Sequence, residues 1–200
     1  MIGVNVRAYR LKNKRLAKKS LLYSERNHEK RIQYLRTLRK IVTTHGSDSL
    51  VYMDESGFEE SSYRPHAYAR QGKKIHGNRT GKRSQRTNLI LARQAGKLLS
   101  PMLFTGSTNT ALVNQWVESL LLKQLRPNST LILDNAPFHN RCDLEKIVKN
   151  KKHRLLFLPP YSPDFNPIEK TFSHIKRYRQ SQPDKTSMDV IIKSYGNYLE

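Results

Sequence analysis

Thr130-Leu131-Ile132-Leu133-Asp134-Asn135-Ala136-Pro137 is a short apolar run that ends on an acid and then on turn residues. Four such residues are too few for a helix, and turn chemistry directly behind them suits a strand buried on both faces. The pattern stands once before, where Leu50-Val51-Tyr52-Met53 delivers Asp54 at its end before Gly57 breaks the run. It stands once after, in Leu155-Leu156-Phe157-Leu158, behind a helix expected near 141–151. Residues 88–93 and 98–104 read as two strands joined by a turn at Gly96, a hairpin partner for the first run. Ala111, Leu112, Val113, Trp116, Val117, Leu120 and Leu121 form a broad apolar helical face between about 109 and 125, which places Trp116 in the core rather than against a base. This order of strands and helices predicts an α/β protein, a mixed sheet covered by helices, with sites at the carboxyl ends of strands.

Ahead of that core, Ile32, Leu35, Leu38 and Ile41 recur at helical spacing, with Ser24 as N-cap and Glu25 just inside, so a helix is expected over 25–43. Residues 1–20 are basic and weakly periodic, as a linker or arm would be. The 200 residues therefore divide into a basic linker and helical extension over 1–45 and one main domain over 46–200.

The chain carries 37 Lys and Arg against 16 Asp and Glu, a net charge of +21, which favours a polyanionic partner over a neutral metabolite. The charge is also localised. Residues 1–40 hold 13 basic and two acidic side chains, and no acid occurs between Glu60 and Glu118. That second stretch contains Lys73, Lys74, Arg83 and Arg86, and reads as a surface that tracks phosphates, although each cation taken singly reads as a solvated surface residue. One cysteine, Cys142, excludes a disulfide framework and a cysteine-rich zinc site, and reads as a packing residue. No apolar run is long enough for a membrane span, and residues 1–10 lack the apolar core of a signal peptide; a cytoplasmic protein is expected.

In so basic a chain, acids set just behind buried segments need something positive to meet them. Asp54, Asp134 and Glu169 are such acids, and 34 residues, positions 135–168, stand between the last two. Three hard oxygen ligands drawn from distant segments are what a two-metal phosphoryl-transfer site requires. Local readings compete with this one. Between Leu158 and Glu169 runs LPPYSPDFNPIE, in which Asn166 reads as N-cap, Pro167 as N1, Ile168 as N2 and Glu169 as N3, so Glu169 has the place of a capping-box acid. Asp134 before Asn-Ala-Pro likewise has the place of a turn former. Spacing alone leaves these readings open.

The words around the acids are more specific. YMDESGF at 52–58, LILDNAPFH at 131–139 and LPPYSPDFNPIEKTFSHIK at 158–176 together resemble the DDE transposases of bacterial insertion sequences in the mariner superfamily. The resemblance covers most of the chain from about residue 20 onward, and the 34-residue gap is a hallmark of that group. It implies a ribonuclease H-like fold, a mixed five-stranded sheet flanked by helices. Asp54, Asp134 and Glu169 then match the catalytic, metal-binding acids on the first strand, the fourth strand and a late helix. Two Mg²⁺ or Mn²⁺ ions would be the cofactors, and the site would cleave transposon-end DNA and join it to target DNA, commonly at a TA dinucleotide.

Asn135 and His139 fall in the family's DNAPxH word, which suggests contacts with the ligands or with DNA, although a lone histidine is more often a surface or turn residue. Lys176, seven positions beyond Glu169, is a candidate phosphate contact; Tyr63, Tyr68 and their basic neighbours fit a grip on DNA and a sheet-packing role equally well. Glu55 is expected to point away from Asp54 by strand alternation, and Asp164 to cap or orient the proline-rich loop; both are left outside the site. Phe172 stands where the family commonly has tryptophan. Full-length relatives carry an N-terminal helix-turn-helix region that recognises the element's ends, and residues 1–20 resemble only its tail. A separately encoded helix-turn-helix portion, action as a dimer on DNA, a nuclease that cuts without joining, and a non-catalytic DNA-binding remnant all remain within the expectations.

Overall fold

The computed structural model describes residues 25–59, 86–183 and 186–197, together with Gly72, Lys74 and His76. Residues 1–20, Tyr63, Tyr68, Lys73 and Arg83 lie outside the described residues.

Helix α1 spans His28–His45 and is capped by Asn27, whose side chain accepts from the Lys30 amide. The expected cap at Ser24 is thus three residues too early. The face that packs is also rotated. Tyr34 is the buried residue, backed by Leu38, Ile41 and Val42, while Ile32 and Leu35 are 37% and 46% exposed. An aromatic at i with apolar residues at i+4, i+7 and i+8 makes a better stripe than the aliphatic residues alone indicated.

Strand β1 (Leu50–Glu59) runs antiparallel to β2 (Arg86–Gln94), which pairs antiparallel with β3 (Lys97–Thr105). The β2–β3 turn is Ala95-Gly96, both at positive φ (48° and 85°), the twist a two-residue hairpin needs and the reason for glycine there. Within β3 the register shifts opposite Ile90 to Ala92, and Ser100 turns to φ 48°. Its freed backbone groups find partners on the next helix and in the turn behind it: Trp116 Nε1 donates to Ser100 O (2.9 Å) and Ser100 N to Gln124 Oε1 (3.2 Å).

Helix α2 (Thr110–Trp116) is seven residues long and continues into a π-turn over Val117–Leu121, so the 109–125 helix is shorter and less regular than expected. Then come β4 (Thr130–Leu133), α3 (Arg141–Asn150), β5 (Arg154–Phe157), α4 (Ile168–Ser181) and α5 (Met188–Asn197). The five strands lie in the order β3-β2-β1-β4-β5, with β1, β4 and β5 parallel.

Side-chain alternation gives the sheet two covered faces. Val51, Met53, Ile90, Ala92, Leu131 and Leu133 pack with Val113, Trp116, Leu144 and Val148 of α2 and α3. On the other face Phe58, Leu89 and Leu91 meet Ile168, Phe172 and Ile175 of α4 and Ile191 of α5, while Leu50 and Ile132 meet Tyr34 of α1. The helical extension therefore packs on the same sheet as the rest of the chain. Trp116 and Phe172 are core residues, 1% and 3% exposed, whereas Cys142 is exposed rather than packed. No helix among the described residues is long and apolar enough to cross a membrane.

Candidate active site

Three segments bring their acids to one end of the sheet. β1 and β4 pair in parallel as far as Tyr52↔Ile132, and Asp54 and Asp134 each stand two residues beyond that pair. By alternation both continue the face occupied by Tyr52 and Ile132. α4 lies across that face through Ile168, Phe172 and Ile175, and carries Glu169 in its first turn. Gly57 does not end β1, which runs on to Glu59; a Cβ at Gly57 would collide with the Arg86 guanidinium, so glycine lets that side chain lie across the strand.

Asp54 is held on both oxygens. Oδ1 accepts from the Glu55 amide (2.8 Å) and Oδ2 from Asn166 Nδ2 (3.1 Å). Burial, and then the negative charges of Glu55, Asp134 and Glu169, push its carboxyl up to about 7 against the opposing pull of the Glu55 amide. Asp134 is half exposed; its Oδ1 accepts from the Ala136 amide (3.0 Å) and lies 3.0 Å from His139 Nδ1. Burial works to raise Asp134, but hydrogen bonds from His139 and Ala136 outweigh it and hold the carboxyl below its usual range. The turn reading of Asp134 is therefore correct as far as it goes, and leaves its Oδ2 available.

His139 is fully buried at its side chain and reaches Glu55 Oε1 through Nε2 (3.1 Å). Burial alone would lower its pKa; hydrogen bonds to Asp134 and Glu55, with the Glu55 charge, raise it to about 10. At neutral pH it is an imidazolium between two carboxylates, with an N–H directed at each. Glu55 does lie on the sheet face opposite Asp54, as alternation requires, yet it joins the site because the turn after β4 carries His139 across to it.

Asn166 departs from its expected part. Its backbone is extended and its carbonyl accepts from the Glu169 amide (3.2 Å), but its side chain caps nothing and donates to Asp54 instead. Its own amide donates to Pro163 O (2.9 Å), so no capping box closes on Glu169. The helix starts at Ile168, which sets Glu169 at the second helical position rather than the third. The Glu169 carboxylate is exposed and makes no hydrogen bond or ion pair among the described residues.

A divalent cation fits this donor set. All the donors are oxygens, Asp54 is raised by burial and then by its carboxylate neighbours, and Asn166 Oδ1 is buried beside Asp54 without a hydrogen-bond partner. An acceptor left so costs about 1–3 kcal/mol. Among the described residues no three His, Cys, Asp or Glu side chains close tightly enough on one point to hold a metal ion, so the acids converge without closing.

The remaining predicted residues lie around this centre. Asn135 Nδ2 donates to Leu158 O (2.7 Å), tying the ends of β4 and β5. Lys176 is exposed two turns beyond Glu169, with Nζ 5.7 Å from the Phe58 ring centre. Arg86 opens β2, exposed, and donates through Nε to Asn88 Oδ1 (3.2 Å); Lys74 is exposed. The residues that sequence reasoning passed over are Glu55, visible only as the acid next to Asp54, and Asn166, which was assigned to capping.

A five-stranded mixed sheet in this order, with one acid in the central strand, one just past its parallel neighbour and one on a helix across their face, is the ribonuclease H-like arrangement. Solved structures agree on the fold. The Mos1 transposase paired-end complex with left transposon end superposes with a TM-score of 0.73 at 17% identity, over 97% of this chain and 61% of that one. The Mos1 mariner paired end complex with Mn gives 0.73 at 18% identity, over 97% and 62%. The Mos1 transposase catalytic domain and Raltegravir with Mn gives 0.64 at 17%, over 90% and 84%. The chain thus spans about 61% of the length of the longer Mos1 chains and most of the catalytic domain alone. Residues 49–190 match the family described as DDE superfamily endonuclease, and the chain belongs to that family. No curated protein sequence matches it.

Proposed function

We propose that this chain is the catalytic part of a transposase that cleaves the ends of a mobile element and joins them to target DNA, with Asp54, Asp134 and Glu169 holding two Mg²⁺ or Mn²⁺ ions. The observation that carries the reading is the register of β1 and β4, which stands Asp54 and Asp134 side by side under the helix that bears Glu169. Similar solved structures of Mos1 are complexes with Mn, with Mg and with a transposon end, which supports the same cofactors and DNA here. When bound, such ions lower the pKa of water or a 3′-hydroxyl and stabilise the departing oxygen of an in-line displacement.

The chain's own residues do the rest. Asn166 orients Asp54, while the His139 imidazolium, steadied by Glu55, keeps Asp134 ionised and aimed. Lys176, Arg86, Lys74, Lys73 and Arg83 are proposed to draw the phosphate backbone to the site, which suits the net charge of +21. Residues 1–45 form the basic extension, residues 46–200 the catalytic domain. The element is a bacterial insertion sequence with a TA target, the protein works in the cytoplasm as a dimer on paired ends, and end recognition comes from a helix-turn-helix portion.

The test uses pre-cleaved end DNA with Mn²⁺. Joined products are expected, with Asp54→Asn, Asp134→Asn and Glu169→Gln each lowering the rate about 10²–10³-fold, a loss typical of removing one transition-state charge stabiliser. Hydrolysis without joining would reduce the protein to a nuclease. Variants that keep the parent's activity would overturn the assignment, and an inert parent that binds DNA would point to a remnant.

A further inference from the structure

The proline-rich loop between β5 and α4 is gripped from outside by α1. Arg31 Nη1 donates to Ser162 Oγ (2.7 Å), Arg31 Nη2 to Asp164 Oδ2 (2.7 Å), and the guanidinium lies 3.9 Å from the Phe165 ring centre. Phe165 in turn stacks on Tyr34, one helical turn along α1, with ring centres 5.4 Å apart and planes 15° apart. Arg26, just ahead of the helix, pairs with Asp164 Oδ1 and donates through Nε to Tyr161 O (3.3 Å). Tyr161 itself sits at φ 52°, a left-handed conformation that a non-glycine residue keeps only when its surroundings insist on it. The grip lies two residues from Asn166, which holds Asp54, and five from Glu169. Within the loop, Asn166 N donates to Pro163 O and Phe165 N to Ser162 O, so the stretch from the grip to the site is itself cross-bonded.

We infer that Arg31 and Arg26 are positioning residues: by clamping Ser162, Asp164 and Phe165 they set where Asn166 and Glu169 stand relative to Asp54, so the helical extension is a working part of the catalytic centre. This rests on the reading of the three acids as metal ligands. A charged surface pair alone would contribute little. The arginine is the right residue for the task because its planar fork bonds the carboxylate and hydroxyl while its face stacks on the ring, which lysine cannot reproduce.

The experiment compares the full chain with Arg31→Ala, Arg31→Lys and Asp164→Asn, using Arg36→Ala on the exposed side of α1 as the control for lost charge. Amide hydrogen exchange across residues 162–170 and Mn²⁺ affinity by calorimetry are read on each, with end-DNA binding measured alongside. Arg31→Ala and Asp164→Asn are expected to speed exchange at Asn166 and Glu169 at least tenfold and weaken Mn²⁺ binding at least tenfold. Arg31→Lys should recover only part, and Arg36→Ala should match the parent. DNA affinity should move no more in the clamp variants than in that control. Wild-type exchange and Mn²⁺ affinity in the clamp variants would overturn the clamp. Glu169→Gln separates the two readings: if it binds Mn²⁺ as the parent does, the metal reading fails, and the exchange data alone decide the clamp, faster exchange supporting it and unchanged exchange overturning it.

Discussion

His139 carries more of the site than its place in a turn suggests. Among the described residues its ring stands between Asp134 and Glu55 and separates their two carboxylates. The ring is buried but Asp134 is half exposed, so losing the ring costs less than breaking a fully buried pair, and the effect falls on how Asp134 is held. His139→Ala should therefore raise the Asp134 carboxyl from its lowered value and cut the DNA cleavage rate about 10–100-fold, the range for losing a group that orients a ligand. Glu55→Gln, which keeps a hydrogen-bonding side chain at that position, should cost less. Cleavage kinetics at saturating Mn²⁺ check both, and an undiminished rate in His139→Ala would remove it from the site. In the sequence His139 reads more readily as a surface or turn residue than as a contact, since its partner Glu55 is 84 positions away.

Among the elements, α1 and the proline-rich loop have a contact whose strength depends on pH. Arg31 first and then Arg26 hold the Asp164 carboxyl down to about 2, against an unfolded value of about 4. A folded pKa below the unfolded one contributes stability that is present above about 4 and is lost as pH falls through about 2. Asp164 is 46% exposed, so salt screens the contribution. The difference in melting temperature between the parent and Asp164→Asn should hold steady from about pH 7 to about pH 5 and shrink toward zero as the pH drops to about 2. Thermal melts at low salt read this directly, and a difference that stays constant over the whole range would show that the pair contributes nothing through charge. The existence of both elements was visible in the sequence. Their contact was not, because, of the four residues that mark the helix face, Ile32 and Leu35 turn outward while Leu38 and Ile41 pack, and Asp164, expected to cap or orient the loop, meets Arg31 and Arg26 from 133 and 138 positions away.

For the whole molecule, charge and catalysis are separable. The +21 net charge draws a polyanion whatever the acids do, so DNA affinity should fall steeply with salt in the parent and in Asp54→Asn alike. If the basic surface neutralises about six phosphates, affinity drops about 10³-fold between about 50 and about 200 mM salt. Equal slopes with unequal cleavage would separate binding from chemistry; a shallow slope would remove the phosphate-tracking reading of the 60–118 stretch. Most of the architecture was legible beforehand, because strands buried on both faces announce themselves as short apolar runs, and each of the three in the parallel half does so. The hairpin was legible at Gly96 for the same local reason, the need for positive φ.

What the sequence determined alone is therefore what depends on neighbours along the chain: the strands, their turns, the acids carried by β1 and just past β4, and the charge. What the tertiary structure decided is every contact between distant segments. Asn166 meets Asp54 across 112 positions, Arg31 meets Asp164 across 133, and His139 bridges Asp134 and Glu55. Such contacts follow from strand register and helix rotation, and a one-residue change in either sends a side chain to the other face.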